Sequence, residues 1–128
     1  MMAAVVGIGA DLIKVERVAR AYGRFGGRFL ERLFTPRERE YCLGRFDLAA
    51  ALAGRFAAKE AVVKALSPAA ATGLAYRDVA IQTDGRRPTV TLTGTAAALA
   101  AARGVGEVMV TISHERGYAL AFAVALGK

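Results

Sequence analysis

The stretch Gly54-Arg55-Phe56-Ala57-Ala58-Lys59-Glu60-Ala61-Val62-Val63-Lys64 constrains the fold more than any other part of this 128-residue chain. It lies in a helix expected from about Asp47 to Leu66, which Ser67-Pro68 stops. At about 100° per residue, Gly54, Ala57, Ala58, Ala61 and Ala65 fall on one side. That side is small and flat, and suits close packing. Arg55, Lys59, Glu60 and Lys64 spread across the opposite half, with Phe56 and Val63 among them. A partly buried, charged pocket wall accounts for that mixture. The competing reading is a solvated face with a Glu60–Lys64 ion pair at i, i+4, worth about 0.3–0.5 kcal/mol.

Around this helix the chain alternates its periods. Ala3 to Ala10 reads as a buried strand that ends at Asp11. Gly7-x-Gly9 begins a dinucleotide fingerprint, but Leu12 stands where its third glycine belongs, so that reading is rejected. Leu12 to Tyr22 has helical spacing, and Gly23, Gly26 and Gly27 break it. Thr35-Pro36-Arg37-Glu38 predicts a helix start with a capping box. Val79 to Thr83 and Thr89 to Thr93 alternate as strands about an Asp84-Gly85 turn. Thr95 to Arg103 is an Ala-rich helix stopped by Gly104. Val108 to Ile112 and Tyr118 to Leu126 form a final hairpin around Arg116-Gly117. This order predicts an α+β fold, a mostly antiparallel sheet with helices packed on it, in one domain spanning residues 1–128.

The apolar content of 55% excludes a disordered chain, although 28 residues are Ala and the large core formers are few. Cys42 is the only Cys, which excludes an internal disulfide and a Cys-based zinc site and fits a reduced, cytoplasmic compartment. The apolar run from Tyr118 to Gly127 is too short to span a bilayer, and the first residues lack the basic region of a secretory signal. The net charge of +7 favours an anionic partner. More than half of that excess lies between Lys14 and Glu40, where Arg17, Arg20 and Arg24 share one helix face. A small nucleic-acid-binding module is one reading of that charge. It lacks a recognisable motif and the aromatic residues of a stacking platform.

Several residues carry candidate chemistry. Asp11 is either a helix N-cap or a ligand for a hard cation. Mg²⁺ takes one or two carboxylates and completes its shell with water and phosphate oxygens, a pair that Asp11 and Glu60 would supply. The chain has 14 Arg and four Lys, and two of the four Lys, Lys59 and Lys64, flank Glu60. In so Arg-rich a chain, that points to a compact ammonium there in place of a guanidinium fork. His114 follows Ser113 in a strand, so the two side chains point to opposite faces and form no Ser-His dyad. Gly85-Arg86-Arg87-Pro88 places two guanidinium groups on a turn, where Arg matches phosphate oxygens bidentately. Cys42 reads as a packed thiol inside a helix.

Together these motifs resemble the holo-acyl-carrier-protein synthase family of 4′-phosphopantetheinyl transferases, in its short bacterial form. The resemblance rests on Gly7-Ile8-Gly9-Ala10-Asp11-Leu12 with Glu16-Arg17, and on Phe34-Thr35-Pro36 with Glu38 and Tyr41. It continues through Gly54 to Ala61 with Lys64, Gly85-Arg86-Arg87-Pro88, and Ile112-Ser113-His114 with Tyr118-Ala119. It covers nearly the whole chain. One departure is the loop Ser67 to Gly73, longer and stiffer than the Gly-Thr-Gly of many members.

The resemblance implies Mg²⁺-dependent transfer of 4′-phosphopantetheine from coenzyme A to a serine of apo-acyl carrier protein, in fatty acid biosynthesis. The second product is adenosine 3′,5′-bisphosphate. It implies Asp11 and Glu60 as metal ligands and Lys64, with Lys59 as a further candidate, as positive charge on the pyrophosphate; the base for the serine is Glu60 or a metal-bound water that it orients. Arg55, Arg86, Arg87 and Pro88 would line the nucleotide pocket. Ser113 and His114 would approach coenzyme A from a neighbouring subunit of a homotrimer, with His114 also a catalytic candidate, and Arg17, Arg20 and Arg24 would face the acidic carrier protein. Neither a nucleic acid nor a membrane is an expected partner. Another Mg²⁺-dependent pyrophosphate enzyme is the alternative.

Overall fold

In a computed structural model describing residues 3–66 and 73–128, the side chain of Asp84 apart, the small face of the central helix decides the packing. The elements are strand β1 (Val5–Lys14), helices α1 (Val15–Phe25), α2 (Gly27–Leu33), α3 (Pro36–Leu43) and α4 (Leu48–Leu66), a 3₁₀ turn at Tyr76–Asp78, strands β2 (Val79–Asp84) and β3 (Arg87–Leu92), helix α5 (Gly94–Ala102), and strands β4 (Val105–Glu115) and β5 (Tyr118–Gly127). The α+β architecture is as the sequence predicts. The strands divide into two antiparallel sheets, a three-stranded one ordered β1-β5-β4 and the hairpin β2-β3.

α4 lies on the inner face of the three-stranded sheet, and that face is built of small residues. The register places Gly7, Gly9 and Asp11 of β1 opposite Ala125, Ala123 and Ala121 of β5. All four inward alanines of β5, Ala119, Ala121, Ala123 and Ala125, are buried. A Cβ at Gly7 would lie 2.0 Å from the Ala65 carbonyl oxygen, and one at Gly9 would lie 2.0 Å from that of Ala61. The glycines that suggest half a dinucleotide fingerprint are therefore there for helix–strand contact. At the other end of α4, a Cβ on Gly54 would sit 2.9 Å from the His114 ring.

The outer face of the same sheet reverses the usual pattern. Ile8, Leu12, Met109, Tyr118, Leu120 and Phe122 are large, apolar and exposed, between 40% and 63% of their full surface. Apolar side chains exposed together on one sheet face are unusual for a surface left to water.

Two boundaries differ from expectation. β1 does not stop at Asp11, because its pairing with β5 continues to Lys14↔Tyr118. Asp11 is therefore a mid-strand residue, and Lys14 holds the N-cap position of α1 without a side-chain bond. Gly23 remains helical, and the chain breaks at Gly26, whose φ of 55° suits glycine. The capping box at Thr35 forms as predicted: Thr35 N–H donates to Glu38 Oε1 at 2.7 Å and Glu38 N–H to Thr35 Oγ1 at 3.2 Å. Asp47 Oδ1 accepts from Ala50 N–H at 3.0 Å and opens α4. The departure in the 67–73 loop falls outside the described residues except for Gly73.

Candidate active site

Strand alternation turns Asp11 of β1 toward Lys64 of α4, 53 residues on, and helix periodicity puts Glu60 one turn before Lys64. Asp11 follows Gly7 and Gly9 on the helix-facing side of β1. The bare glycine backbone lets α4 approach, so the Lys64 stem lies over Gly9, where an added Cβ would meet Lys64 Cβ at 2.8 Å. Lys64 Nζ then donates to the Ala10 carbonyl at 2.9 Å and stands 3.4 Å from Asp11 Oδ1. The lysine side chain is 46% exposed and the aspartate 18%. The surface Glu60–Lys64 ion pair does not form among the described residues.

Glu60 instead accepts a short hydrogen bond on Oε1 from the Tyr76 hydroxyl. The Tyr76 ring lies 5.9 Å, centroid to centroid, from that of Phe56. Its phenol is pushed well above the usual tyrosine range, first by burial, then by its bond to Glu60 and the negative charges of Glu60 and Asp11. Glu60 lies one helical turn before Lys64 on α4, and Lys64 reaches Asp11, so the two acids stand along the same side of the helix. Two carboxylates with open approaches are the donor set that Mg²⁺ takes when phosphate oxygens and water supply the rest. Among the described residues no group of three His, Cys, Asp or Glu side chains converges. A pair of carboxylates such as Asp11 and Glu60 suits an ion shared with an anionic substrate.

Lys59 departs from expectation. It sits next to Glu60 in sequence, but its side chain is fully buried on another flank of α4. Nζ lies 2.8 Å from Glu38 Oε1, 2.9 Å from the Tyr76 carbonyl and 2.6 Å from the Val79 carbonyl. Those three partners use all three ammonium protons, so none remains for coenzyme A. Burial lowers its pKa, and the Glu38 charge and hydrogen bond oppose that shift. Glu38 has a second task beyond its capping box: its Oε2 accepts from Ile81 N–H at 2.7 Å, joining α3, α4 and β2.

Arg55 is buried as well. Its Nη2 donates to Thr83 Oγ1 at 2.5 Å, and its guanidinium lies 4.1 Å from the Tyr41 ring centroid. Its Nε is buried without a partner among the described residues. Thr83 leads directly into the β2–β3 turn, where Arg86 and Arg87 are exposed and Pro88 is half-buried. The cavity between Arg37, Tyr41, Arg55 and Thr83 is about 70 Å³. Ligand pockets for molecules of drug size run from about 300 Å³, so this chain alone does not enclose coenzyme A there.

His114 is exposed, and its Nε2 lies 2.9 Å from the Ala50 carbonyl oxygen, at the opposite end of α4 from Lys64. It lines a shallow depression with Asp47 and Tyr118, separate from the one that Lys64 lines with Ile8 and Phe122. Ser113, opposite Leu120 in the register, is on the outer face. Arg17, Arg20 and Arg24 are exposed on α1, with Arg20 paired to Glu16 at 3.0 Å and Arg24 over the Phe25 ring.

Sequence reasoning does not single out Tyr76. It is one aromatic residue after a loop, with no periodic pattern to mark it. Only the fold shows that its two ends meet Lys59 and Glu60.

Residues 7–123 match the 4′-phosphopantetheinyl transferase superfamily. The holo-[acyl-carrier-protein] synthase of Desulforudis audaxviator is 48% identical over 124 residues, covering 96% of this chain and 94% of the relative. The crystal structure of the Plasmodium yoelii holo-ACP synthase superposes with a TM-score of 0.87 at 27% identity, over 100% of this chain and 99% of that one. The Helicobacter pylori synthase in complex with coenzyme A gives 0.80 at 30% identity, over 92% and 98%.

Proposed function

The chain belongs to the 4′-phosphopantetheinyl transferase superfamily, and from that premise we propose that it makes holo-acyl carrier protein, moving 4′-phosphopantetheine from coenzyme A to a serine of the apo form. The observation that carries the reading is the meeting of Asp11 and Lys64 across the glycine-floored contact of β1 with α4, with Glu60 one helical turn before Lys64. Their chemistry is that of a site built to hold a pyrophosphate and neutralise its charge.

The residues divide the work. Asp11 and Glu60 would hold Mg²⁺, which when bound supplies charge neutralisation on the pyrophosphate and eases departure of the leaving phosphate. Glu60, or a water that it orients, would accept the serine proton as the serine oxygen bonds to phosphorus. The bond from that phosphorus to the bridging oxygen breaks, and adenosine 3′,5′-bisphosphate leaves with the electron pair. Lys64 brings a mobile positive charge to the same phosphates. The orphaned Nε of buried Arg55 supports an anion subsite near Arg86, Arg87 and Pro88, with an Arg facing the 3′-phosphate.

The exposed apolar face of β1-β5-β4 supports a homotrimer with active sites between subunits. In that arrangement Ser113 and His114 reach the coenzyme A bound by a neighbour. The exposed Arg17, Arg20 and Arg24 would dock the acidic carrier protein, with Arg20 partly engaged by Glu16. We read residues 1–128 as one catalytic domain acting in the cytoplasm, in fatty acid biosynthesis. No helix of the described residues is long and apolar enough to cross a membrane.

The test is a mass measurement. Incubation with Mg²⁺, coenzyme A and an apo-carrier protein should add the phosphopantetheine arm to the carrier's serine and release adenosine 3′,5′-bisphosphate. An unmodified carrier would sink the reading. Arg17→Glu should raise the KM for the carrier protein far more than that for coenzyme A, and equal effects would remove the docking face.

A further inference from the structure

We propose that Tyr76 is a positioning residue for Glu60: its hydroxyl holds that carboxylate beside Asp11, with one oxygen turned to the phenol and the other left for a cation. This inference rests on the reading of Asp11 and Glu60 as the metal pair.

Three observations carry it. First, the Tyr76 hydroxyl is the only hydrogen-bond partner of Glu60 among the described residues, and it uses Oε1 alone. A glutamate held by nothing else carries about 1.5–2 kcal/mol of side-chain rotamer freedom that metal binding would have to remove. Second, Tyr76 is itself held at both ends. Its carbonyl accepts from the buried Lys59 ammonium at 2.9 Å, and its ring packs against Phe56. Adjacent residues of α4 thus clasp one tyrosine, Lys59 by its backbone and Glu60 by its hydroxyl. Third, the cation that flanks Glu60 on its own helix face is engaged elsewhere, since Lys64 bonds the Ala10 carbonyl and Asp11.

Outer partners of this kind orient metal-binding carboxylates, and their loss typically weakens metal binding 10- to 100-fold. The 3₁₀ turn at Tyr76–Asp78 then links the rigid core to the reactive groove: Glu38 fixes Lys59, Lys59 fixes the Tyr76 backbone, and the Tyr76 hydroxyl fixes Glu60.

Terbium(III) tests this directly, because it seeks hard oxygen ligands and emits when a nearby tyrosine is excited. The full chain, Tyr76→Phe, Tyr41→Phe, Glu60→Gln and Asp11→Asn are each titrated with terbium alone, and thermal midpoints and steady-state kinetics are measured in parallel. Wild type and Tyr41→Phe should show tyrosine-sensitised emission that saturates. Tyr76→Phe should lose that emission and bind the directly excited ion at least tenfold more weakly. Its thermal midpoint should stay near wild type, because the ring contact with Phe56 is kept. Its kcat should fall with little change in the KM for coenzyme A. Wild-type terbium affinity in Tyr76→Phe, alongside weak binding by Glu60→Gln, would overturn the role of Tyr76 and leave the metal pair standing. A loss of affinity accompanied by loss of the fold would make Tyr76 a merely structural residue and also overturn it. Equal affinity in wild type, Glu60→Gln and Asp11→Asn would overturn the metal pair, and this inference with it.

Discussion

Lys59 and Lys64 leave the same face-mixed helix within a turn and a half of each other, yet they end in opposite environments. Lys59 is sealed in the core with a carboxylate and two carbonyl oxygens, every proton used. Lys64 is half-exposed, beside a single carboxylate and one carbonyl oxygen at the edge of a groove. The difference is one of obligation. The first ammonium cannot move without leaving Glu38 buried and unpaired. The second can leave its partners for water or for a phosphate at small cost.

The largest expected effect would break the buried partnership. Lys59→Met should cost about 3–5 kcal/mol of stability, because Glu38 is left as an uncompensated buried charge. Denaturant unfolding reads this directly. Lys64→Met should change stability by no more than about 1 kcal/mol, as for other solvent-exposed ion pairs. It should lower kcat by about 10²–10³, as when a group that stabilises transition-state charge is removed. Comparable stability losses in the two variants would erase the distinction between them.

A thiol on the Lys59 side sharpens the comparison further. Cys42 is buried, and burial pushes its pKa up to about 11, with the nearby Arg55 charge opposing. At pH 8 the native protein should resist alkylation, with Cys42 labelled at the rate of unfolding, whereas Lys59→Met should label much faster. Rapid labelling of the native wild type would contradict a closed flank.

The smallest effect lies at the solvent end of the same 3₁₀ turn. Asp78 Oδ2 accepts from Thr95 N–H at 2.8 Å and Thr95 Oγ1 at 2.6 Å, bonds that hold its carboxyl below the usual value of 3.8. Asp78→Ala should cost about 1 kcal/mol, the usual worth of a helix cap. Because the folded pKa lies below the unfolded one, Asp78 contributes fully above about pH 4 and loses its contribution as pH falls further. The gap between wild type and variant should therefore shrink in acid. A gap that stays constant down to pH 2 would show that the carboxylate charge is not what caps α5.

Local signals carried much of this architecture. Thr35, Pro36 and Glu38 mark a helix start by capping chemistry alone, and the small face of α4 follows from 3.6-residue periodicity. Both rest on neighbours within one turn. What periodicity cannot give is the element that lies opposite. It puts Lys59 and Glu60 on one charged half-helix, and only the segments packed there, α3, β2 and the 3₁₀ turn, decide that Lys59 is sealed in and Glu60 is left half-buried. β5 shows the same limit. Its alternating Ala and large apolar residues would conventionally place Leu120 and Phe122 inside. The tight approach of α4 admits only the alanines, and the large residues face out. Asp11 reads as a helix cap in isolation because nothing local reveals that β5 extends its strand by another three residues. Tyr76 and the second role of Glu38 are contacts between distant segments and leave no periodic trace.

The most direct measurement is a crystal structure with coenzyme A and Mn²⁺ in place of Mg²⁺, with the ion located by its anomalous signal. The account predicts one peak bonded to both the Asp11 and Glu60 carboxylates and to a pyrophosphate oxygen, with Lys59 still locked to Glu38. Carboxylates more than about 8 Å apart, too far for shared coordination at roughly 2.1 Å per bond, or an ion held elsewhere, would contradict it.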